Sequence, residues 1–527
     1  MIINDNGSYG VYIEKESEKI PFEIKGKILA LTLSPIIDYS TGFKYYNELY
    51  AFGKTDAQTP HLRVTDESII REVYYWTYPS WKIIYPTIAI LSYDVNYKAY
   101  ITTYNNGLVA YFGKNFLEVK GKRGKFGWIL FTAESKDPYD AIRKAYEKMR
   151  DKLNVKLREE KKKPRIVGKI GWCSWNAFLS KVSEEDVIKT VKSIIEKGLK
   201  LDFVLIDDGW EKIKDFALDS LEPNEKFSFP RLIKKLKELG INEIGLWTTI
   251  NLYWKGFTEK VKEELKDGEK KGDYYFPPTD LERAFLFYYN YFKRIKDYGF
   301  TFVKIDNQCI MKEKPENIHT AIQLVAKLLD LDILNCMSME PECYSNYFSS
   351  NLMRVSNDYI PMWREAGKIQ LINASYNSLF YQNIAYPDFD MFSSYDTDSL
   401  PHIIARIFSG GPVYITDKDV EKTRIDLFRL VNQVDFPAMV TRDILFVNPY
   451  IEDVFLKLAT KINGKPALAL FNVNNKKIKE KVKKEVFPFT VNCGKFTKII
   501  SKEKGEVGDE IELEEMGVEV LLFECNN

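Results

Sequence analysis

A chain of 527 residues has room for several domains, since a (β/α)8 barrel alone takes about 250. Lys and Arg number 76 against 75 Asp and Glu, a formal charge of +1, so no global field selects nucleic acid, acidic lipid or an anionic polymer, and neutral small molecules are the expected partners. Three histidines (His61, His319, His402) stand beside no nucleophile, which argues against a His-based triad or a multi-His metal site, and aromatics at 14% leave rings to spare for a ligand pocket.

The opening "MIINDNGSYG" lacks a basic region followed by an apolar stretch, and no run of about 20 apolar residues occurs, so a cytoplasmic protein without membrane contact is expected. Cys173, Cys309, Cys336, Cys343, Cys493 and Cys525 show no CxxC pair and no regular spacing; neither a zinc knuckle nor a disulfide framework is expected. Residues 1–155 alternate short apolar and polar runs ("SYGVYIEKE", "WKIIYPTIAIL", "YKAYITTY", "FGWILFTAES"), the pattern of an antiparallel β-sandwich domain. Residues 141–165 then take a helical period and become a charged stretch ended by Pro164, read as a solvated helix leading to a domain boundary.

From Val167 the rhythm becomes a short apolar run, a polar end and a helix-length amphipathic segment. Eight strand candidates follow: 167–173, 202–207, 243–249, 301–306, 332–338, 352–358, 383–388 and 412–417. Helical stretches such as 184–199, 229–240, 281–299 and 314–330 lie between most of them. Buried strands alternating with helices predict an α/β fold with a parallel sheet, and eight units predict a (β/α)8 TIM barrel over 165–425. "GWCSWNAF" after the first strand is not a phosphate-cradling glycine loop, which argues against a doubly wound sheet. After about 430, "ALALFNVNN", "KFTKII" and "VEVLLFEC" predict a small C-terminal antiparallel β-domain over 430–527.

The strand ends carry the chemistry. Lys304 and Asp306 are two apart and so face the same way at the end of the fourth strand. Asp207 and Asp208, Asp358, Asp388 with Asp390, and Asp417 end four others. Four readings fit such convergence. Two carboxylates about 5 to 5.5 Å apart serve a retaining glycosidase, and a gap of roughly 6.5–9.5 Å an inverting one. Three carboxylates could hold Mg²⁺. Lys304 could form a Schiff base. The acids could also be loop caps without chemistry. Trp172, Trp175, Trp210, Trp247, Trp254 and Trp363, all near strand ends, favour a sugar, whose CH faces stack on indole.

"IGWCSWNAF", "LIDDGWE", "FVKIDNQC", "NCMSMEP", "RVSNDYIPMW", "YPDFDMF" and "ARIFSGGPVYITD" resemble, in order, the motifs of glycoside hydrolase family 36, in the branch of raffinose synthases, seed imbibition proteins and archaeal α-galactosidases. The resemblance covers the predicted barrel. It implies Asp306 as nucleophile and Asp358, after Arg354, as acid/base. It further implies Asp207 and Asp208 as ligands of the galactose 4- and 6-hydroxyls, Lys304 as a ligand of sugar hydroxyls, and Trp172 and Trp247 as walls of the pocket. Lys304 is expected beside Asp306, favouring its ionised form. The implied activity is a retaining α-galactosidase acting on small α-galactoside oligosaccharides such as raffinose and melibiose, without cofactor or metal. A raffinose-synthase type galactosyltransferase or an α-N-acetylgalactosaminidase are the alternatives, and a homo-oligomer is left open. "NCMSMEPECYSN" departs from the glycine-rich cysteine loop of bacterial members, so Cys336 reads first as a small buried residue.

Overall fold

The computed structural model describes residues 1–32, 77–78, 87–113, 115–430, 434–450 and 452–525. At its centre lie eight parallel strands: β1 (Ile170–Cys173), β2 (Phe203–Ile206), β3 (Glu243–Thr249), β4 (Phe302–Asp306), β5 (Asp332–Asn335), β6 (Leu352–Arg354), β7 (Tyr386–Asp388) and β8 (Val413–Ile415). Their order is β7-β6-β5-β4-β3-β2-β1-β8. The sheet curls until its ends meet: Phe392, four residues past β7, bridges Ile415 of β8, its N–H donating to the Tyr414 carbonyl at 3.2 Å and its carbonyl accepting from Thr416 N at 2.9 Å.

Helices α1 (Glu184–Glu196), α2 (Phe229–Glu238), α3 (Leu281–Tyr298), α4 (Pro315–Leu328), α5 (Arg364–Tyr381) and α6 (Ser399–Ser409) follow β1, β2, β3, β4, β6 and β7. Their ends are written in the sequence. Ser183 and Asp186 cap α1 reciprocally, and Gly299 ends α3 in a left-handed conformation (φ 106°). Between β5 and β6 only the single turn Pro341–Tyr344 is helical.

The sheet interior shows why its far end can be polar. Phe203 of β2 packs against Phe302 of β4 and Tyr414 of β8, with ring centroids 5.9 and 5.7 Å away. The intervening strands give way: a Cβ on Gly171 of β1 would sit 2.3 Å from the Phe203 ring, and one on Gly245 of β3 would sit 2.2 Å from the Phe302 ring. This plug of even-strand rings and odd-strand glycines closes the floor. Two residues further along β1 and β4, Cys173 and Lys304 face the same interior.

The N-terminal strands form one antiparallel eleven-stranded sheet. Val11, Ile90, Leu108, Phe112 and Leu130 make a core on one face. On the other, Leu91, Ile101 and Phe131 join Ala141, Ile142, Ala145, Tyr146 and Met149 of helix Pro138–Lys152. That helix therefore buries a face and is not the solvated helix expected. His61 and the first part of "WKIIYPTIAIL" (81–86) lie outside the described residues.

The charged stretch after the helix is a strap, not an exposed linker. Lys161 is pushed down to about 7 by burial. Its ammonium donates to the carbonyls of Tyr347 (3.2 Å), Ser350 (2.7 Å) and Ile384. Arg165 Nε and N both reach Asp332, at 2.9 and 2.7 Å. The strap thus ties down the N-terminal ends of β5, β6 and β7, opposite the face that carries the acids.

C-terminal strands Leu456–Ile462, Lys465–Phe471, Val518–Glu524 and Lys495–Lys498 lie in a six-stranded sheet. Cys493 and Cys525 flank two paired strands of it and are disulfide-bonded, with Cα atoms 4.7 Å apart. Spacing suggested no disulfide framework, and this pair departs from that reading: neighbours across a ladder need no periodic spacing in sequence. The same region grips α5. The fully buried Lys368 reaches Glu515 (2.6 Å), Asn475 (2.5 Å) and Glu365 (2.9 Å), and Tyr450 donates to Glu365 at 2.8 Å. Among the described residues no helix is long and apolar enough to cross a membrane.

Candidate active site

The site is built on the C-terminal ends of β1–β4 and β6. On β4, Lys304 and Asp306 both face inward and both are buried. Asp306 has its two oxygens separately held: Trp247 Nε1 donates to Oδ2 at 3.1 Å and Asn307 N to Oδ1 at 2.7 Å. Trp247 comes from the neighbouring β3, where it sits opposite Lys304 in the ladder. A carboxylate held through both oxygens in this way is fixed in orientation.

Lys304 does not pair with Asp306 as expected. Its ammonium lies 2.7 Å from Asp207 Oδ2, with both side chains only 4% exposed. Burial works against the charge, but Asp207 first, then Cys336, Cys173 and Asp390, outweigh it and hold the amine well above the usual lysine range. A lysine so firmly protonated does not serve as a Schiff-base nucleophile. Two residues along a strand share a face, yet a long lysine side chain follows the interior toward β2, where Asp207 stands just past the strand end.

Asp207 also accepts from Asp208 N (3.0 Å) and Cys173 Sγ (3.5 Å). Asp208 accepts from Tyr253 Oη (2.9 Å) and Trp254 Nε1 (3.3 Å). Its carboxyl is pushed up to about 6 by burial, with Asp207 and Asp306 adding to the rise and those two hydrogen bonds opposing it. Glu211, three residues on, is pushed well above the carboxylate range by burial and then by Asp208; its Oε2 accepts from Gly209 N at 2.9 Å.

Arg354 ends β6, and its Nη1 lies 2.5 Å from Asp358 Oδ1. Asp358 is the more open acid, with its side chain 36% exposed. Burial opposes the Arg354 charge, but Cys336, Asp358, Asp390 and Asp306 surround it and hold the guanidinium charged. The Cys336 thiol, pushed up chiefly by burial, feels the same group: Arg354, Asp306, Lys304 and Asp358. Asp306 and Asp358 therefore share one electrostatic neighbourhood with Arg354 and Cys336.

The remaining strand-end acids are occupied elsewhere. Asp388 is fully buried, accepts from Tyr414 Oη (2.9 Å) and Asp390 N (3.0 Å), and is pushed up to about 6 by burial and Asp390. Asp417 is held by Ser394 through both N and Oγ. Trp172 lies on the face of β1 opposite Cys173, and its Nε1 donates to the Asp417 carbonyl at 2.8 Å, so it is not brought against the carboxylates. Trp210 donates to the Trp247 carbonyl from full burial. Sequence reading passed over Tyr253, Glu211 and Cys173, although Glu211 closes the quoted "LIDDGWE"; for Tyr253 the one signal was its place in the loop after β3.

Several turns at this end are left-handed at residues with side chains: Leu252 (φ 75°), Asn307 (φ 56°), Met337 (φ 48°) and Asp390 (φ 67°), after β3, β4, β5 and β7. Such conformations cost of order 1–3 kcal/mol each and concentrate at functional sites. Among the described residues, no group of three or more His, Cys, Asp and Glu is arranged to hold a metal ion.

The family model for raffinose synthase or seed imbibition protein Sip1 matches residues 97–238 and 279–487, which takes in β1, β2 and β4–β8 with both acids. The chain belongs to this raffinose synthase and seed imbibition protein family. It is 28% identical over 400 residues to the probable galactinol–sucrose galactosyltransferase 6 of Arabidopsis thaliana, covering 64% of this chain and 53% of that one. It is 25% identical over 441 residues to the galactinol–sucrose galactosyltransferase of Pisum sativum, covering 66% and 53%. This family member thus spans about half the length of the curated relatives it matches. Its fold is similar to that of the α-galactosidase of Thermus thermophilus (TM-score 0.53, 14% identity, 88% of this chain and 95% of that one). It is similar too to a GH27 β-L-arabinopyranosidase of Geobacillus stearothermophilus (TM-score 0.53, 13% identity, 68% and 97%).

Proposed function

We propose that this chain is a retaining α-galactosidase that releases terminal α-linked galactose from small oligosaccharides, with Asp306 as nucleophile and Asp358 as acid/base. In this reading a (β/α)8 barrel spans about 165–425, between an N-terminal β-sandwich (1–155) and a C-terminal antiparallel β-domain (430–527). The observation that supports it is a carboxylate held through both oxygens, Asp306, whose charge reaches the same Arg354 that pairs with a more open acid, Asp358.

The chemistry is a double displacement. An Asp306 oxygen attacks the anomeric carbon as the glycosidic C–O bond breaks, and Asp358 gives its proton to the departing oxygen. Asp358, now a carboxylate, takes a proton from the incoming hydroxyl group, whose oxygen displaces Asp306. Two inversions return the α configuration. Asp208, with Asp207 and its partner Lys304, would hold the sugar hydroxyls.

A second reading uses the same residues but a sugar acceptor in place of water. The names of the sequence relatives, galactinol–sucrose galactosyltransferases, favour it. Incubation with raffinose or melibiose, counting free galactose against longer oligosaccharides, separates the two. Asp306→Gly with azide tests both: formation of β-galactosyl azide is expected, and an active Asp306→Gly enzyme without azide would overturn the assignment.

A further inference from the structure

Asp358 stands in an irregular segment, residues 355–363, between β6 and α5. Irregular backbone tends to move, yet a group that must hand a proton to one oxygen needs a fixed direction. The surrounding polar groups meet that need. From α5, Asn377 Nδ2 donates to the Val355 carbonyl at 2.6 Å and Asn373 Nδ2 to Asn357 Oδ1 at 3.0 Å. On the other side of Asp358, Tyr359 is held twice: its N–H donates to Asp390 Oδ2 at 2.8 Å, and its hydroxyl donates to Asp396 Oδ2. Asp396 also accepts from Met362 N (2.8 Å) and Asp398 N (3.0 Å).

The first acceptor, Asp390, and the Tyr359 ring are themselves anchored. Arg406, fully buried on α6, donates from Nε to the Asp390 carbonyl and from Nη2 to the Met391 carbonyl, both at 2.8 Å. Its guanidinium lies 5.7 Å from the Tyr359 ring centroid, and the His402 ring meets the same ring edge-on at 5.1 Å. Val355, Asn357, Tyr359 and Met362 of the segment are thus held, while the Asp358 side chain stays partly exposed beside Arg354.

We propose that Tyr359 and Asp396 are positioning residues for Asp358: the Tyr359 hydroxyl, bound to Asp396, fixes the adjacent carboxyl in line with the departing glycosidic oxygen. This rests on the acid/base reading of Asp358. Neither residue touches substrate in this scheme, so the consequence is selective. A displaced acid matters when the leaving group needs a proton and matters little when it does not.

The test compares kcat/KM, which reports the first displacement, for melibiose and for 2,4-dinitrophenyl α-D-galactopyranoside. Tyr359→Phe is expected to lower the melibiose-to-aryl ratio about 10- to 100-fold, the range a displacement of about 1 Å produces. Asp396→Asn, which keeps an acceptor oxygen, is expected to lower it less, in the same direction. Equal losses on both substrates, or an unchanged ratio, would overturn the proposal; should Tyr359→Phe fail to fold, Asp396→Asn decides by the same ratio. Asp358→Asn is the reference: if it too leaves the ratio unchanged, the acid/base assignment itself fails, whereas a selective Asp358→Asn with an unselective Tyr359→Phe refutes only the positioning role.

Discussion

Lys304→Met probes the ion pair at the centre of the site. Lys304 and Asp207 are each only 4% exposed, 2.7 Å apart. Removing the ammonium leaves Asp207 with Asp208 N and a weak thiol donor, an uncompensated buried carboxylate. Breaking such a pair from one side costs about 3–5 kcal/mol. For a cooperative unit of the whole 527-residue chain the unfolding entropy is about 1.1 kcal/mol/K, so the midpoint should fall by about 3 to 5 °C. The pair's pH window follows from the lysine. Its folded value is raised, so its contribution is complete below the ordinary lysine value near 10.4 and is lost only as pH rises past the folded one. The wild-type pair is therefore intact at both pH 6 and pH 8, and the drop should be no larger at pH 6, where the unpaired Asp207 carboxyl is more readily protonated. The assay is a double-mutant cycle of Lys304→Met and Asp207→Asn by thermal and urea unfolding at fixed conditions. A double variant less destabilised than the sum of the two single variants is expected; strictly additive losses, or a single-variant shift under about 2 °C, would refute the reasoning.

Trp247→Phe removes the Nε1 donor to Asp306, a hydrogen bond to a charged group worth about 1.5–3 kcal/mol, and should lower kcat about 10- to 150-fold in steady-state assays. Asp388 titrates near 6 when folded, so between about pH 4 and pH 6 the unfolded chain ionises first and stability falls by about 3 kcal/mol as pH rises, then levels off. Asp388→Asn should remove that fall from a plot of midpoint against pH, and parallel curves for variant and wild type would contradict it. If Asp208, also near 6, binds sugar hydroxyls as a carboxylate, kcat/KM should rise with pH through about 6, and Asp208→Asn should abolish that limb. The Cys493–Cys525 bond closes a loop of sequence separation 32, worth about 3–4 kcal/mol by loop entropy. Cys493→Ser should lower the unfolding midpoint of the C-terminal sheet while leaving initial turnover unchanged.

All eight parallel strands were legible because each is a short apolar run with a polar end, a pattern that burial on both sides of a sheet imposes. Asp207, Asp208, Lys304 and Asp306 could be placed at one end of the sheet from the polar ends of their strands, and period-two alternation put Lys304 and Asp306 on one face. Their partners could not. Lys304 meets Asp207 across 97 residues because β2 and β4 both border β3, and this follows from the curl of the sheet, not from either segment. Trp172 misled for a related reason: it sits one residue before Cys173, so the same alternation that turns the thiol inward turns the indole away. Asp388 and Asp417 have the right residue type at the right strand end, yet Tyr414 and Ser394, distant in sequence, hold them in structural roles. Tyr359 and Asp396 carry no local pattern, since each is defined by what it reaches over more than 30 residues.

Lys368 sets a limit on how this chain could have been assembled or could be cut. Its ammonium has no exposure, and two of its three partners, Glu515 and Asn475, come from turns between the C-terminal strands. A gene trimmed to the parallel sheet and its helices would strand that cation against an open cleft beneath α5, the helix whose amides support the Asp358 segment. The C-terminal sheet is therefore no detachable appendage, and recombination that swapped it would have to bring along an acidic residue at the Glu515 position.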